Sequence, residues 1–318
     1  MRHPFASALA ISSLALTLGG CPSDPVVGTD TGTTSDSGPV MSMCPVQAGM
    51  TPIPDAANQM GACCYRHSQA GNQAAPEYRL RYIDITQPAA SPLSTTAVDN
   101  ILNTSLGAET FNWLVRASGA EADGPVDITT GFGMRDAATG TYSFGTTMYP
   151  PTTLMGTLTG ETVSTMPSTG AALEIPIFDP TGVTLQIVLS LRDVRISTAP
   201  LSEMRNCIGT RTGVRFSTPG QLDGFLEDAT ARAGRIDVSP IDSTLCSVVA
   251  GELATPAGMM PLCDRPQNTW TAKPDSLCSA TSCALNPEGT TTVCNPDTTC
   301  NAWHLVANFA AHGINITP

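Results

Sequence analysis

The sequence predicts a mainly β chain: an antiparallel β-sandwich, jelly-roll-like, with one or two short helices and a disulfide-rich loop region. Three observations carry this reading. Apolar and polar residues alternate in short runs bounded by Gly, Pro, Asn and Asp clusters, the pattern of half-buried strands and their turns. Charged residues are only 13% of the 318, about half the usual share, with Thr, Ser, Ala, Gly and Pro in their place. In three of the runs the apolar parity switches partway, which marks a bulge or a strand passing between two sheets.

Taken in order, the strand signals are Tyr78–Thr86, Phe111–Arg116, Val126–Met134, Ala172–Phe178 and Val183–Ser197, then a weaker run at Val214–Phe216 and a last one at Trp303–Ile316. Helix signals are few. Ser94–Leu106 is the best, with Val98, Ile101, Leu102 and Leu106 on one face, Ser94 or Thr95 as N-cap and Gly107 as stop. Short helical turns are expected around Ala62–His67 and Thr244–Val249.

The parity switches fall at similar places in a shared grammar. Tyr78, Leu80 and Tyr82 are even and Ile83 and Ile85 odd; Leu185, Ile187, Leu189 and Leu191 are odd and Val194 and Ile196 even; Leu305, Ala307 and Phe309 are odd and Ile314 and Ile316 even. Each run closes on a β-branched aliphatic, any residue, Ile, then Thr or Ser. Long strands that bend in this way belong to sandwiches and jelly rolls.

The N-terminus reads as an export signal. Arg2 gives a short positive region, and the seventeen residues Pro4–Gly20 carry no charge. Seventeen residues interrupted by Ser, Thr and Gly fall short of the roughly 20 apolar residues of a membrane-spanning helix. The run ends Leu18-Gly19-Gly20-Cys21, which resembles the bacterial lipobox: an aliphatic residue, two small residues, then cysteine. The resemblance implies that residues 1–20 are a lipoprotein signal peptide and that Cys21 is acylated. It also implies that the partner it anchors to is a membrane, held by acyl chains worth about 0.8 kcal/mol per buried methylene. Pro22 rather than Asp after the cysteine leans toward the outer membrane. Residues 21–43 are Thr-, Ser-, Gly- and Asp-rich and read as a disordered tether, leaving 44–318 as the β domain. In overall character the body is similar to cysteine-rich envelope lipoproteins of GC-rich Gram-negative bacteria, and Lys273 as sole lysine beside fourteen arginines fits such a genome.

Cysteine counting agrees with export. Of eleven, Cys21 is set aside for lipid. The other ten, Cys44, Cys63, Cys64, Cys207, Cys246, Cys263, Cys278, Cys283, Cys294 and Cys300, make an even set for up to five disulfides in an oxidising compartment. Adjacent Cys63 and Cys64 are expected to bond different distant partners, because a bridge between neighbours is strained. Six of the ten lie within about 242–301, a loop-rich stretch poor in periodicity. Cys278-x4-Cys283 and Cys294-x5-Cys300 invite zinc superficially, but no CxxC pair occurs, so disulfides are the expected state.

A net charge of −12 with no basic run leaves no electrostatic footprint for nucleic acid. No Gly-x-Ser-x-Gly elbow or His-Glu-x-x-His motif occurs, and a phosphate loop is excluded because its lysine would have to be Lys273. Besides His3, the histidines are His67, His304 and His312, each expected in a structural role. Asp223, Glu227 and Asp228 could line a calcium site, although they lack the alternating ligand spacing of an EF-hand; no other cofactor is indicated. Trp113, Trp270, Trp303, Tyr142 and Tyr149 could stack on sugars. Trp113 and Trp303 are expected in the core, and Tyr149, before Pro150-Pro151, on the surface. With no catalytic signature beside an anchor, a tether and a stapled β domain, the expected function is a non-enzymatic envelope module binding glycan or protein. A hydrolase of envelope or extracellular polymers, with a carboxylate site formed by loops, is the alternative.

Overall fold

In the computed structural model of the protein, the described residues are 50–52, 65–67, 74–145, 148–169, 172–178, 184–202, 205–212, 215–238 and 241–317. The signal sequence, the tether, Cys21, Cys44, Cys63 and Cys64 lie outside them. Two short strands come first, β1 (Met50–Pro52) and β2 (Tyr65–His67), as an antiparallel pair. Residues 65–67, expected in a helical turn, are therefore strand; pairing with a partner distant in sequence overrides a weak local preference.

Eight longer or central strands then pair in chain order, each antiparallel to the next, and the last returns to the first. They are β3 (Glu77–Gln87), β4 (Trp113–Ser118), β5 (Gly124–Arg135), β7 (Thr152–Thr159), β8 (Thr162–Thr165), β10 (Leu185–Pro200), β14 (Gly220–Glu227) and β19 (Ala302–Gly313). Between them, β6 (Tyr142–Phe144) pairs with β5, and β9 (Leu173–Phe178) pairs with the first half of β10. β11 (Cys207–Ile208) pairs with β19, while β12 (Thr210–Thr212) and β13 (Arg215–Thr218) pair with each other. The mainly β, antiparallel prediction holds. The two faces expected of a sandwich are joined at both edges, because β19 bonds β14 through Ala302–Phe309 and β3 through Val306–Gly313. Closure removes the long free edges that an open sheet would present to other chains.

Alternation sends one set of side chains inward. Trp113, Val115 and Ala117 of β4, Val126 and Ile128 of β5, Leu154 and Leu158 of β7, and Trp303, Leu305, Ala307 and Phe309 of β19 all belong to one buried cluster. The parity switches within β3 and β10 are bulges. In β3 the register passes from Tyr82 opposite Ala310 to Leu80 opposite Ala311, so Arg81 is an extra residue. In β10 it passes from Arg192 opposite Phe225 to Arg195 opposite Asp223, with Asp193 at φ +48°. Gly224 lies opposite that bulge, where a Cβ would meet Val194 Cγ2 at 3.0 Å. The third switch lies where the chain leaves the sheet: β19 ends at Gly313, short of the predicted Ile316. Ile314 and Ile316 instead form a separate small core with Leu114 and Tyr142. Glu77 and Arg116, ion-paired at 2.7 Å, clip this tail: Ile316 N donates to Glu77 Oε2 at 2.6 Å, and Arg116 donates to Ile316 O at 3.0 Å.

Between β3 and β4 the ring has a seam. β4 accompanies β3 only along Glu77–Arg79. Beyond that point, α1 (Thr96–Gly107) covers the edge of β3. The helix starts after Thr95 and buries Val98, Leu102 and Leu106, the face read from the sequence. Its Asp99 and Asn103, four residues apart and so on one side, reach the β3 backbone at Ile85 and Ile83.

The cysteine-rich region begins after β14. It comprises α2 (Asp228–Ala233), the hairpin β15 (Arg235–Val238) and β16 (Ile241–Thr244), α3 (Leu245–Ala250), and the hairpin β17 (Ser276–Cys278) and β18 (Cys283–Leu285). α3 is capped by Thr244, whose side chain accepts from Ser247 N. It is tied by Cys246–Cys263, and Trp270 stacks on Trp303 at 5.7 Å to join this region to the core. Among the described residues no helix is long and apolar enough to cross a membrane.

Candidate functional site

Trp303 and Leu305 of β19 point into the core, so His304 and Val306 between them face outward. Over that outer face folds the loop that follows β18. Between the two lies a cleft of about 650 Å³, bounded by Gln87, His304 and Val306 on the barrel side, by 285–291 and Pro296 on the loop side, and by Asp275.

The loop wall is held at both ends. Cys278–Cys283 closes the β17–β18 hairpin, and Cys294–Cys300 closes the return segment. Asn286, buried, ties the two together: its Nδ2 donates to Cys294 O at 2.8 Å, and its Oδ1 accepts from Val293 N at 2.9 Å and Cys294 N at 3.2 Å. Asn301 performs the same task for the hairpin, accepting from Cys278 N at 2.7 Å and donating to Cys278 O at 2.9 Å. These amides satisfy backbone groups that an irregular segment cannot pair by itself.

The charged side chains at the cleft are tied into the fold unequally. Asp275 Oδ1 accepts from His304 N at 2.9 Å and from Ser276 Oγ at 2.8 Å. His304 Nε2 stands 3.5 Å from Asp223 Oδ1, and Arg195 grips the same carboxylate at 2.8 Å. Burial pushes the Asp223 carboxyl up, but the hydrogen bonds and charges of His304 and Arg195 outweigh it and hold the group below the usual carboxylate range. Glu288 is exposed in the loop wall. Among the described residues, no Phe, Tyr or Trp lines the cleft.

A carboxylate pair lies away from the cleft, at the seam. Asp99 of α1 is pushed up to about 6, by burial first and then by the charge of Asp84 and a hydrogen bond with it.

The other residues singled out from sequence fall as follows. Cys246 bonds Cys263, Cys278 bonds Cys283 and Cys294 bonds Cys300, so the spacings that invited zinc are local disulfide loops. Cys207 is buried and disulfide-bonded. The three acids considered for calcium each face an arginine: Asp223 with Arg195, Glu227 with Arg192 and Asp228 with Arg232. Asp228, Cys246 and Cys263 also lie close enough to suggest a metal cluster, but the two thiols are spent on their disulfide. His312 is buried on β19, and burial lowers its pKa well below the ordinary value. Trp113, Trp270, Trp303 and Tyr142 are buried; Tyr149, expected on the surface, is half-buried with its ring edge-on to Phe132 at 6.2 Å.

Sequence reasoning missed Asp275, Asn286 and Glu288. Nothing about an isolated Asp, Asn or Glu marks it; the usable signal was the tight spacing of Cys278, Cys283, Cys294 and Cys300 around them, which forces short loops with buried polar pins. Comparison with known protein families, with curated proteins and with solved structures finds no match.

Proposed function

We propose that this chain is a lipid-anchored protein of the cell envelope whose β domain binds a ligand in the cleft between β19 and the disulfide-held loop. One observation carries the binding reading: the cleft wall is fixed by two disulfides and the Asn286 pin. A preformed wall loses little conformational freedom when a ligand enters, which favours recognition. The anchor rests on Leu18-Gly19-Gly20-Cys21 and on the even cysteine set left when Cys21 is removed. Mass spectrometry of the mature N-terminus tests it: acylated Cys21 is expected, and an unmodified N-terminus at another residue overturns it. The binding reading is tested by screening the mature protein against peptide and glycan panels beside a Thr291→Trp variant that fills the cleft. Ligands lost with the variant support it, and ligands indifferent to the variant contradict it.

A second reading is favoured by the Asp223–His304 contact. A carboxylate behind an imidazole orients it and can support it as a base, so a hydrolase of envelope polymers would use His304. Hydrolysis of a polysaccharide or peptide panel that disappears in His304→Gln would establish that reading in place of simple binding.

A further inference from the structure

Resting on the cleft as a binding site, we infer that its ligand is an extended peptide carrying a basic side chain, which pairs with the free edge of β18 at Leu285. The backbone register picks out this residue. Asn286 N donates to Asp275 O at 2.9 Å, so position 286 bonds inward, toward the chain leading into β17. Antiparallel pairs alternate, so Leu285, opposite Ser276, turns its N–H and C=O outward. Ser276 agrees with this: its carbonyl faces the other way and accepts from Asn301 N at 3.0 Å. Among the described residues, no protein group pairs with the outward groups of Leu285.

The edge is blocked on both sides of that point. Cys283, the next outward position upstream, gives its N–H to Asp193 Oδ2 at 2.7 Å. Downstream, Pro287 has no N–H, and its carbonyl accepts from Thr290 N at 2.9 Å. Only Leu285 offers a donor and an acceptor together, and Leu285 lines the cleft. That is the arrangement by which an added strand is held through its main chain, with side-chain pockets supplying selectivity.

The chemistry of the cleft names the side chains. Leu285, Pro287, Pro296 and Val306 give it apolar walls, while Asp275 and Glu288 place carboxylates on it and, among the described residues, no Lys or Arg lines it. A cationic side chain flanked by aliphatic ones complements this lining. The absence of Phe, Tyr and Trp from the lining removes the stacking surface that would favour a sugar ring.

The test uses the mature full-length protein, a phage-displayed library of random linear peptides, and a panel of peptidoglycan, chitin and cellulose oligosaccharides. Selected peptides are expected to carry Lys or Arg beside aliphatic residues. Leu285→Pro, which removes the edge N–H while leaving the bonds between β17 and β18 in place, should weaken them about tenfold, the loss of one well-made hydrogen bond. Leu285→Ala, which keeps the N–H, should stay within about threefold of the native protein by the same scale. Should Leu285→Pro fail to fold, an ester in place of the peptide's pairing amide removes the reciprocal bond, from the peptide N–H to Leu285 O, on the native protein, and a similar weakening is expected. Peptides indifferent to both changes, or selected without basic residues, overturn the inference. If only oligosaccharides bind, and Thr291→Trp abolishes that binding, the peptide inference falls while the cleft reading stands. If neither class binds, both fall.

Discussion

Asn103 of α1 holds Ile83 of β3 as a neighbouring strand would: its Nδ2 donates to Ile83 O at 2.8 Å, and Ile83 N donates to its Oδ1 at 3.0 Å. One side chain thereby satisfies both backbone groups at the point where β4 no longer accompanies β3. A closed ring cannot leave such groups unpaired without a penalty, and the seam is where this protein meets that requirement with a helix.

Asn103→Ala should therefore destabilise more than an exposed helix substitution does. Two main-chain groups lose their partner in a half-buried seam, a cost of about 2 kcal/mol. The lower midpoint should appear in urea unfolding with an unchanged slope. A midpoint equal to that of the native protein would mean that water replaces the amide freely.

The same seam sets a pH dependence. Asp99 is raised to about 6 by burial and by Asp84. The folded state thus binds its proton more tightly than the unfolded chain, whose carboxyl has the ordinary value of 3.8. Stability from this group is fully present below the ordinary value and is lost as pH rises through about 6. Asp99→Asn should flatten that part of the stability profile and leave the rest. A native profile with no loss across this window contradicts the Asp84–Asp99 contact.

The bulge in β10 makes a third expectation. Asp193 sits at φ +48° and accepts from Cys283 N. Asp193→Asn tolerates that backbone and keeps an acceptor, so its melting temperature should match the native one. Asp193→Val places a β-branched residue in the left-handed region, at a cost of about 1–2 kcal/mol, and loses the bond to the disulfide hairpin. Equal melting temperatures for the two variants would show that the bulge relaxes.

How far the sequence foretold this fold depended on where its residues point. β3, β10 and β19 were legible because Ile85, Leu189 and Leu305 alternate with polar neighbours; the parity switches were legible as a bulge or a change of sheet, and the register at Arg81 and Asp193 decides for bulges. β7 was missed because it is a Thr-rich stretch in which only Leu154 and Leu158 are buried. β14 was missed because Gly220, Asp223 and Gly224 read as loop; Gly224 is there to clear the bulge opposite, and Asp223 to meet Arg195. Ring closure was invisible, since the pairing of β19 with β3 joins the two ends of the domain and leaves no local mark. At the cleft, the disulfide state of the cysteines was legible but their pairing was not, and Asp275, Asn286 and His304 are brought together only by the register of β17 and β19.

The C-terminal tail gives a fourth test. Ile316 is buried against Leu114 and Tyr142 in a cluster separate from the main core. Ile316→Ala should cost about 2 kcal/mol, the lower range for a buried isoleucine because its cluster is small and separate from the main core. Glu77→Gln, which weakens the clip on Ile316 N, should speed amide hydrogen exchange in the same segment. Exchange as slow in Glu77→Gln as in the native protein would show that the clip is dispensable.

The central claim is that the disulfide-held cleft is where the protein meets its ligand. It is tested most directly by amide hydrogen exchange of the mature protein, with and without a ligand selected from the peptide and glycan panels. The account predicts slowed exchange in the 285–291 wall and on β19 around His304, and loss of both effects in Thr291→Trp. Protection confined to the opposite side of the barrel, or retained in the filled-cleft variant, would contradict it.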